Sequence, residues 1–339
     1  MKAIVQQAYG EFEDVLRLCD IDVPTPKRNE VLVRVEAASV HADVWHVVKG
    51  EPRAVRLFGA GLFGPKSAVP GTDLAGTVTQ VGAAVTRFAV GDEVFGESHK
   101  GLQWTNGGAF AEFAAVPESA LSHKPASVSF EAAAAVPTSG FIALTNLDFE
   151  RYGAEHRMIV NGAAGGVGSL VVQIGKARGM HVTAVDRAET FELLRALGAD
   201  CQIDYQQQDF TQGSARYDVI YDVASTLTLD NYQRALAPQG KYVRVGHEHY
   251  GQRGSKTWGS LPEFFKFVAL SAFRKDLPSM GFSLPPKHEI MTQLAALLEA
   301  GLVTPHIGRR FPLQQAAQAL RELEQGRVIG KIMLCPQMT

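Results

Sequence analysis

Met158-Ile159-Val160-Asn161-Gly162-Ala163-Ala164-Gly165-Gly166-Val167-Gly168 is an apolar run that ends in a glycine-rich turn, and the helix-prone run Ser169 to Arg178 follows it directly. The frame is a variant of GxGxxG with Ala163, Gly165 and Gly168 at the three special positions. At Gly165 the missing side chain lets the backbone approach a pyrophosphate, and at Gly168 it lets the helix pack closely on its strand. Ala164, Gly166 and Val167 complete the loop, and the helix start offers N–H groups and the positive end of its dipole to phosphates. A glycine motif alone says little. This one follows a strand, opens a helix and leads to a second strand, His181 to Val185, that ends at Asp186. That context predicts a dinucleotide site rather than a βα turn that binds nothing.

Asp186 is placed to accept hydrogen bonds from the adenosine ribose hydroxyls, which favours NAD(H). Its neighbour Arg187 suits a 2′-phosphate, since a guanidinium matches phosphate geometry. Thr190 stands nearby as an uncharged residue. The choice between NADP(H) and NAD(H) therefore stays open. Tyr205, after Ile203-Asp204, is a candidate to stack beside the adenine. Val223, just beyond the strand Tyr217 to Tyr221, and Gly246 and His247, just beyond the strand ending at Val245, complete the expected cofactor contacts.

Outward from the loop, helical stretches alternate with apolar strands, the pattern that builds a doubly wound parallel sheet through right-handed crossovers. The first 120 or so residues differ. They carry short β-rich runs such as Val31 to Val35 and Ala75 to Val81, punctuated by Pro24, Pro26, Pro70, Gly71, Gly82 and Gly91. The C-terminal part reads as an amphipathic stretch Glu289 to Leu298, a strand Leu302 to Phe311, a helix Leu313 to Glu324 and a strand Ile329 to Leu334. The fold class is α/β, and the texture sets boundaries at 1–123, 124–283 and 284–339.

Bulk properties narrow the function. The chain of 339 residues is 46% apolar and 20% charged, ordinary for a folded protein of two domains. Lys plus Arg number 33 against 35 Asp plus Glu, so no polybasic field exists to engage a nucleic acid. The stretch Leu261 to Phe282 is broken by Glu263, Lys266, Arg274, Lys275 and Asp276, so it is no membrane span. The N-terminus lacks the apolar core of a signal peptide, which makes the cytoplasm the default location. Cys19, Cys201 and Cys335 lie far apart, and no CxxC pair or four-cysteine zinc site is possible.

Ordered together, several stretches resemble one family. They are Val40-His41-Ala42-Asp43, Pro70-Gly71-Thr72-Asp73-Leu74-Ala75-Gly76, Gly91-Asp92-Glu93-Val94-Phe95-Gly96, Gly107-Gly108-Ala109-Phe110-Ala111-Glu112, the Ala163 to Gly168 loop, Leu197-Gly198-Ala199-Asp200 and Gly330-Lys331. From end to end the chain resembles the medium-chain dehydrogenase/reductase superfamily, and within it the zinc-independent quinone oxidoreductase branch that includes ζ-crystallin-like and alkenal reductase proteins. The resemblance implies a GroES-like catalytic domain built from both chain ends, with the Rossmann domain inserted between them. It also implies a cofactor in the cleft between domains and a homodimer joined through the cofactor domains.

The zinc branch of that superfamily carries a Cys in the first domain and a Gly-His-Glu triplet in the second motif. Here the matching stretches read Ser39-Val40-His41-Ala42-Asp43 and Gly71-Thr72-Asp73. Thiolate and imidazole are both missing, and a catalytic zinc takes about three protein ligands, so no metal is expected. Gly246-His247-Glu248-His249 lacks the i, i+4 spacing of a helical zinc pair.

Hydride chemistry belongs to the cofactor, and the protein supplies orientation and a partner for the developing oxyanion. The resemblance brings His41, Asp43, Thr72 and the helix start at Thr138 toward the nicotinamide. His41, Asp43 and Thr72 are the candidate catalytic residues and Thr138 a cofactor contact. An imidazole at position 41, where relatives often carry Asn, either donates a proton near neutral pH or is held within its own domain. Asp43 reads as acid–base partner or as a structural group, and Trp45 as pocket wall or core filler. The expected activity is NAD(P)H-dependent reduction of quinones or α,β-unsaturated carbonyls without zinc. Its alternatives are an alcohol dehydrogenase acting on simple carbonyls and a non-catalytic dinucleotide-binding redox sensor or partner protein.

Overall fold

The computed structural model describes residues 1–98, 105–245, 255–259, 261–277 and 284–338, and internal contacts divide the chain into two units. The first comprises Met1–Phe141, Pro285–Gly301 and Pro305–Thr339; the second comprises Ile142–Leu284 and Leu302–Thr304.

The first unit opens with β1 (Lys2–Gln6), the single turn α1 (Phe12–Val15) and β2 (Leu16–Asp20), with β1 and β2 paired antiparallel. Then come β3 (Glu30–Val40), α2 (Ala42–Lys49), β4 (Asp73–Val81), β5 (Glu93–Glu97), β6 (Phe113–Pro117), β7 (Leu121–His123), α3 (Phe130–Ala134) and α4 (Pro137–Asn146). β3 is long and valine-rich, and it pairs with both β4 and β6. Its side chains are buried in near-continuous succession instead of alternating, with Arg34 exposed among them. Phe12, Trp45, Leu74, Phe110 and Leu121 pack into the core of this unit.

The second unit carries β8 (Arg157–Asn161), α5 (Gly166–Ala177), β9 (His181–Asp186), α6 (Phe191–Ala196), β10 (Cys201–Asp204), β11 (Tyr217–Asp222), α7 (Leu229–Ala235), β12 (Leu236–Arg244) and α8 (Leu261–Ser271). Its five strands are parallel in the order β10-β9-β8-β11-β12. The chain winds outward from β8 to β10 and then returns to β11 on the other side of β8. The topological switch point therefore falls between β8 and β11, where α/β sheets bind ligands beyond their carboxyl ends. Ile159, Tyr217, Tyr232, Tyr242 and Phe267 share one core here, with the Tyr232 and Tyr242 rings stacked at 3.9 Å.

The C-terminal part adds α9 (Lys287–Glu299), β13 (Ile307–Pro312), α10 (Ala316–Glu324) and β14 (Lys331–Cys335). β14 pairs antiparallel with β3 and completes a seven-stranded sheet ordered β13-β14-β3-β4-β5-β7, with β6 also on β3. Two details differ from the sequence reading. The strand expected over Leu302 to Phe311 begins only at Ile307, because Gln173 draws residues near Thr304 away: its side chain accepts from Thr304 N at 2.7 Å and donates to Thr304 O at 3.2 Å. The helix expected over Leu313 to Glu324 begins as a 3₁₀ turn, Leu313–Gln315, before α10. The α/β class, with one doubly wound parallel sheet and one β-rich unit, is as expected. Among the described residues no helix is long and apolar enough to cross a membrane.

Candidate functional site

The glycine loop lies at the carboxyl end of β8, and Gly165 is the N-cap of α5. Gly168 is forced by a close approach. A Cβ there would lie 2.1 Å from the Gly162 carbonyl oxygen and 2.8 Å from Ala163 Cα, both backbone atoms that cannot swing aside. The amides of Gly162 and Ala163 donate to Val185 O at 3.0 and 3.2 Å, which ties the loop to the end of β9. Asp186, the last residue of β9, completes the tie: Oδ2 accepts from Ala164 N at 2.8 Å and Oδ1 from Arg187 N at 2.9 Å. The first turn of α5 thus starts beside a carboxylate fixed by backbone amides, and its own N–H groups lack intrahelical partners as in any helix.

The neighbouring expectations fall as follows. Arg187 pairs with Glu189 at 3.1 Å, and the buried Thr190 donates from its hydroxyl to Arg187 O at 2.8 Å. Tyr205 is 55% exposed beyond β10, and its amide reaches Asp186 O at 3.4 Å. Val223 donates to Asn161 O at 2.9 Å, so it sits beside the loop at the switch point. Gly246 and His247, with Glu248 and His249, lie outside the described residues.

A buried polar cluster stands at the same point that the sequence reading leaves unmarked. Asp222, the last residue of β11, accepts from Asn161 Nδ2 and from Tyr242 Oη, each at 2.8 Å, and from Ser225 N at 2.8 Å. Burial pushes the Asp222 carboxyl up and the Tyr242 hydroxyl up, the latter also through the Asp222 charge. These bonds hold the ends of β8, β11 and β12 in register below the loop.

The first unit carries the second group. His41 occupies the N-cap of α2 but makes no side-chain cap; its ring turns inward instead, and Nε2 meets Thr72 Oγ1 at 2.6 Å. Thr72 arrives there because Gly71, at φ +86°, turns the chain into β4 against the Phe110 ring. His41 is 8% exposed and Thr72 2%. The buried Nδ1 of His41 makes no hydrogen bond among the described residues and lies 3.6 Å from Asp43 Oδ2. The structure therefore brings His41, Asp43 and Thr72 together.

Thr138 joins them through Asp73. Thr138 Oγ1 donates to Asp73 Oδ1 at 2.5 Å and lies 3.3 Å from Glu97 Oε1. Asp73 also accepts from Thr72 Oγ1 at 3.4 Å, Ser39 Oγ at 3.1 Å and Thr138 N at 3.2 Å. Glu97, at the end of β5, forms an ion pair with Lys287 of α9. Burial pushes the Glu97 carboxyl up, with the Lys287 ammonium working against it and the Asp73 charge adding to it. Burial likewise pulls the Lys331 ammonium down against the charges of Asp73 and Asp43; its Nζ donates to Ser139 Oγ at 3.3 Å. Glu97, Lys287 and Lys331 went unread as site residues. A charge at the end of the apolar run Val94-Phe95-Gly96 was the available signal for Glu97.

Thr72 offers a neutral hydroxyl, and among the described residues no group of three or more His, Cys, Asp or Glu side chains is arranged to hold a metal.

Together the β-rich unit with its inward-turned His41 and the parallel sheet with its glycine loop define a dehydrogenase/reductase. The family model described as the alcohol dehydrogenase GroES-like domain matches residues 27–126, and that described as zinc-binding dehydrogenase matches residues 197–334. The chain belongs to the medium-chain dehydrogenase/reductase superfamily of oxidoreductases. It is 31% identical to the chloroplast envelope quinone oxidoreductase homolog of Arabidopsis thaliana, over 99% of this chain and 98% of that protein. It is 32% identical to the chloroplastic NADPH-dependent alkenal/one oxidoreductase of the same plant, over 99% of this chain and 80% of that one. A solved NAD-dependent alcohol dehydrogenase superposes with a TM-score of 0.80 at 28% identity, covering 99% of each chain.

Proposed function

We propose that this protein is an NAD(P)H-dependent reductase of quinones or α,β-unsaturated carbonyls that works without a metal. The observation that carries the reading is the 2.6 Å contact between His41 Nε2 and Thr72 Oγ1, a proton-holding pair in stretches where the zinc branch carries ligands. The names of two relatives, a quinone oxidoreductase homolog and an alkenal/one oxidoreductase, support the acceptor class.

A bound nicotinamide dinucleotide supplies the hydride. The chain's own residues do the rest. The Ala163 to Gly168 backbone and the start of α5 bind the pyrophosphate, and Asp186 takes the ribose hydroxyls. His41, with Thr72 and Asp43 against its two ring nitrogens, donates a proton to the oxygen that gains charge as the acceptor is reduced. Thr138 holds Asp73 and Glu97 behind that pair. The reading includes a cytoplasmic homodimer, which sedimentation of the purified protein checks.

Oxidation of NADH and NADPH, followed with a quinone, an enone and a simple aldehyde in the presence and absence of chelator, tests the proposal. Turnover of quinone or enone that ignores chelator is expected. Turnover confined to the aldehyde and abolished by chelator favours the alcohol dehydrogenase reading, which the zinc-binding description of one matching family and the solved alcohol dehydrogenase support. Dinucleotide binding with no turnover of any acceptor favours a sensor or partner protein.

A further inference from the structure

The turn that leaves β9 stands where the adenosine ribose of a dinucleotide is expected. Asp186 ends β9, and the 3₁₀ turn Ala188–Thr190 follows before α6. Arg187, between them, is clamped by its backbone. Its amide donates to Asp186 Oδ1 at 2.9 Å, and its carbonyl oxygen accepts from Thr190 N at 2.9 Å and from Thr190 Oγ1 at 2.8 Å. Thr190 is 1% exposed, so the clamp is anchored in the interior. The turn brings Glu189 back onto Arg187, with Oε1 3.1 Å from Nη1. From Asp186 to Thr190, Arg187 is the one basic residue, and Glu189 holds it.

An ion pair between side chains this open to solvent adds little to stability. Its consequence lies in the choice of cofactor. NADPH carries a phosphate on the adenosine 2′ oxygen where NADH carries a hydroxyl. That phosphate needs a cation, and a guanidinium matches it best, through paired N–H donors. A phosphate arriving at this turn must either displace the Glu189 carboxylate from Arg187 or lie beside its negative charge. A ribose hydroxyl meets neither cost. Asp186 cannot report on the choice by itself, because its Oδ2 also holds the Ala164 amide at 2.8 Å and so supports the loop for either dinucleotide. We infer that Glu189 is a specificity-determining residue: by holding the Arg187 guanidinium it withholds the phosphate partner, and the site takes NADH in preference to NADPH. This rests on the proposed dinucleotide site and makes its choice of cofactor definite.

Titration calorimetry of the purified protein with NADH and with NADPH tests this without any acceptor. The unaltered protein is expected to bind NADH the more tightly. Glu189→Gln keeps the length of the side chain and removes its charge, which releases Arg187. The affinity for NADPH relative to NADH is then expected to rise about fivefold, the upper range for one exposed ion pair. Adding Arg187→Gln to that variant removes the phosphate partner, so the ratio falls back. A ratio that stays high in the double variant means that Glu189 acts by repulsion alone and overturns the inference. A general disturbance of the turn moves both dinucleotides together, and an unchanged ratio in Glu189→Gln overturns the inference as well. So does an unaltered protein that prefers NADPH. Binding of neither dinucleotide means that the reading of the glycine loop has failed, and the inference with it. Binding without turnover of any acceptor counts against the reductase reading alone.

Discussion

Asp186 Oδ2 accepts the Ala164 amide at 2.8 Å, so the carboxylate that ends β9 is bonded directly into the loop that opens α5. A residue proposed as a ribose partner is thus a strut of the glycine loop. Asp186→Ala removes both roles. It is expected to weaken binding of NADH and NADPH alike by about tenfold, the worth of one charge-assisted hydrogen bond. Titration calorimetry with both dinucleotides checks this, and a loss confined to NADH restricts Asp186 to the ribose.

Gly168→Ala drives a methyl group into the Gly162 carbonyl, which would lie 2.1 Å away. Helix and strand must then separate, at a cost of about 1–3 kcal/mol typical of overpacking. The expected outcome is a melting temperature several degrees lower together with loss of dinucleotide binding. Gly64→Ala, where an added Cβ meets nothing within 4 Å, serves as the control.

The loop was legible because everything that defines it is local. Strand, glycines, helix and the acidic end of the next strand follow one another within a single βαβ unit, and the structure joins Ala164 to Asp186. The polar support beneath it was not, because Asn161, Asp222 and Tyr242 meet only when β8, β11 and β12 align. His41, Asp43 and Thr72 could be named from the resemblance, and they do converge. Glu97 and Lys287, 190 positions apart, could not be paired, since no periodicity says which helix returns to which strand.

His41→Gln keeps a polar side chain beside Thr72 but cannot titrate. If His41 supplies the proton, kcat with an enone falls about 100-fold, the lower range for general acid catalysis, and the pH dependence flattens. The dissociation constant of NADPH, measured by fluorescence, is expected to hold steady. An unchanged kcat assigns the proton to solvent and leaves His41 a structural group.

Burial raises the Glu97 carboxyl pKa in the folded chain, so folding takes up a proton wherever the pH lies between the unfolded and folded values. The native state then binds more protons than the unfolded one, and the linkage slope is negative. The stabilising contribution of this group is complete below the unfolded glutamate value, about 4.3, and is lost as pH rises through the folded value. Glu97→Gln removes that titration and leaves a neutral side chain of the same shape. Relative to the unaltered protein, the variant should therefore gain stability as pH rises from about 4.3, with the two curves parallel below it. Urea unfolding of both proteins across that range reads the difference. A variant that instead loses stability relative to the unaltered protein as pH rises would mean that the Lys287 ammonium, and not burial, governs the carboxyl.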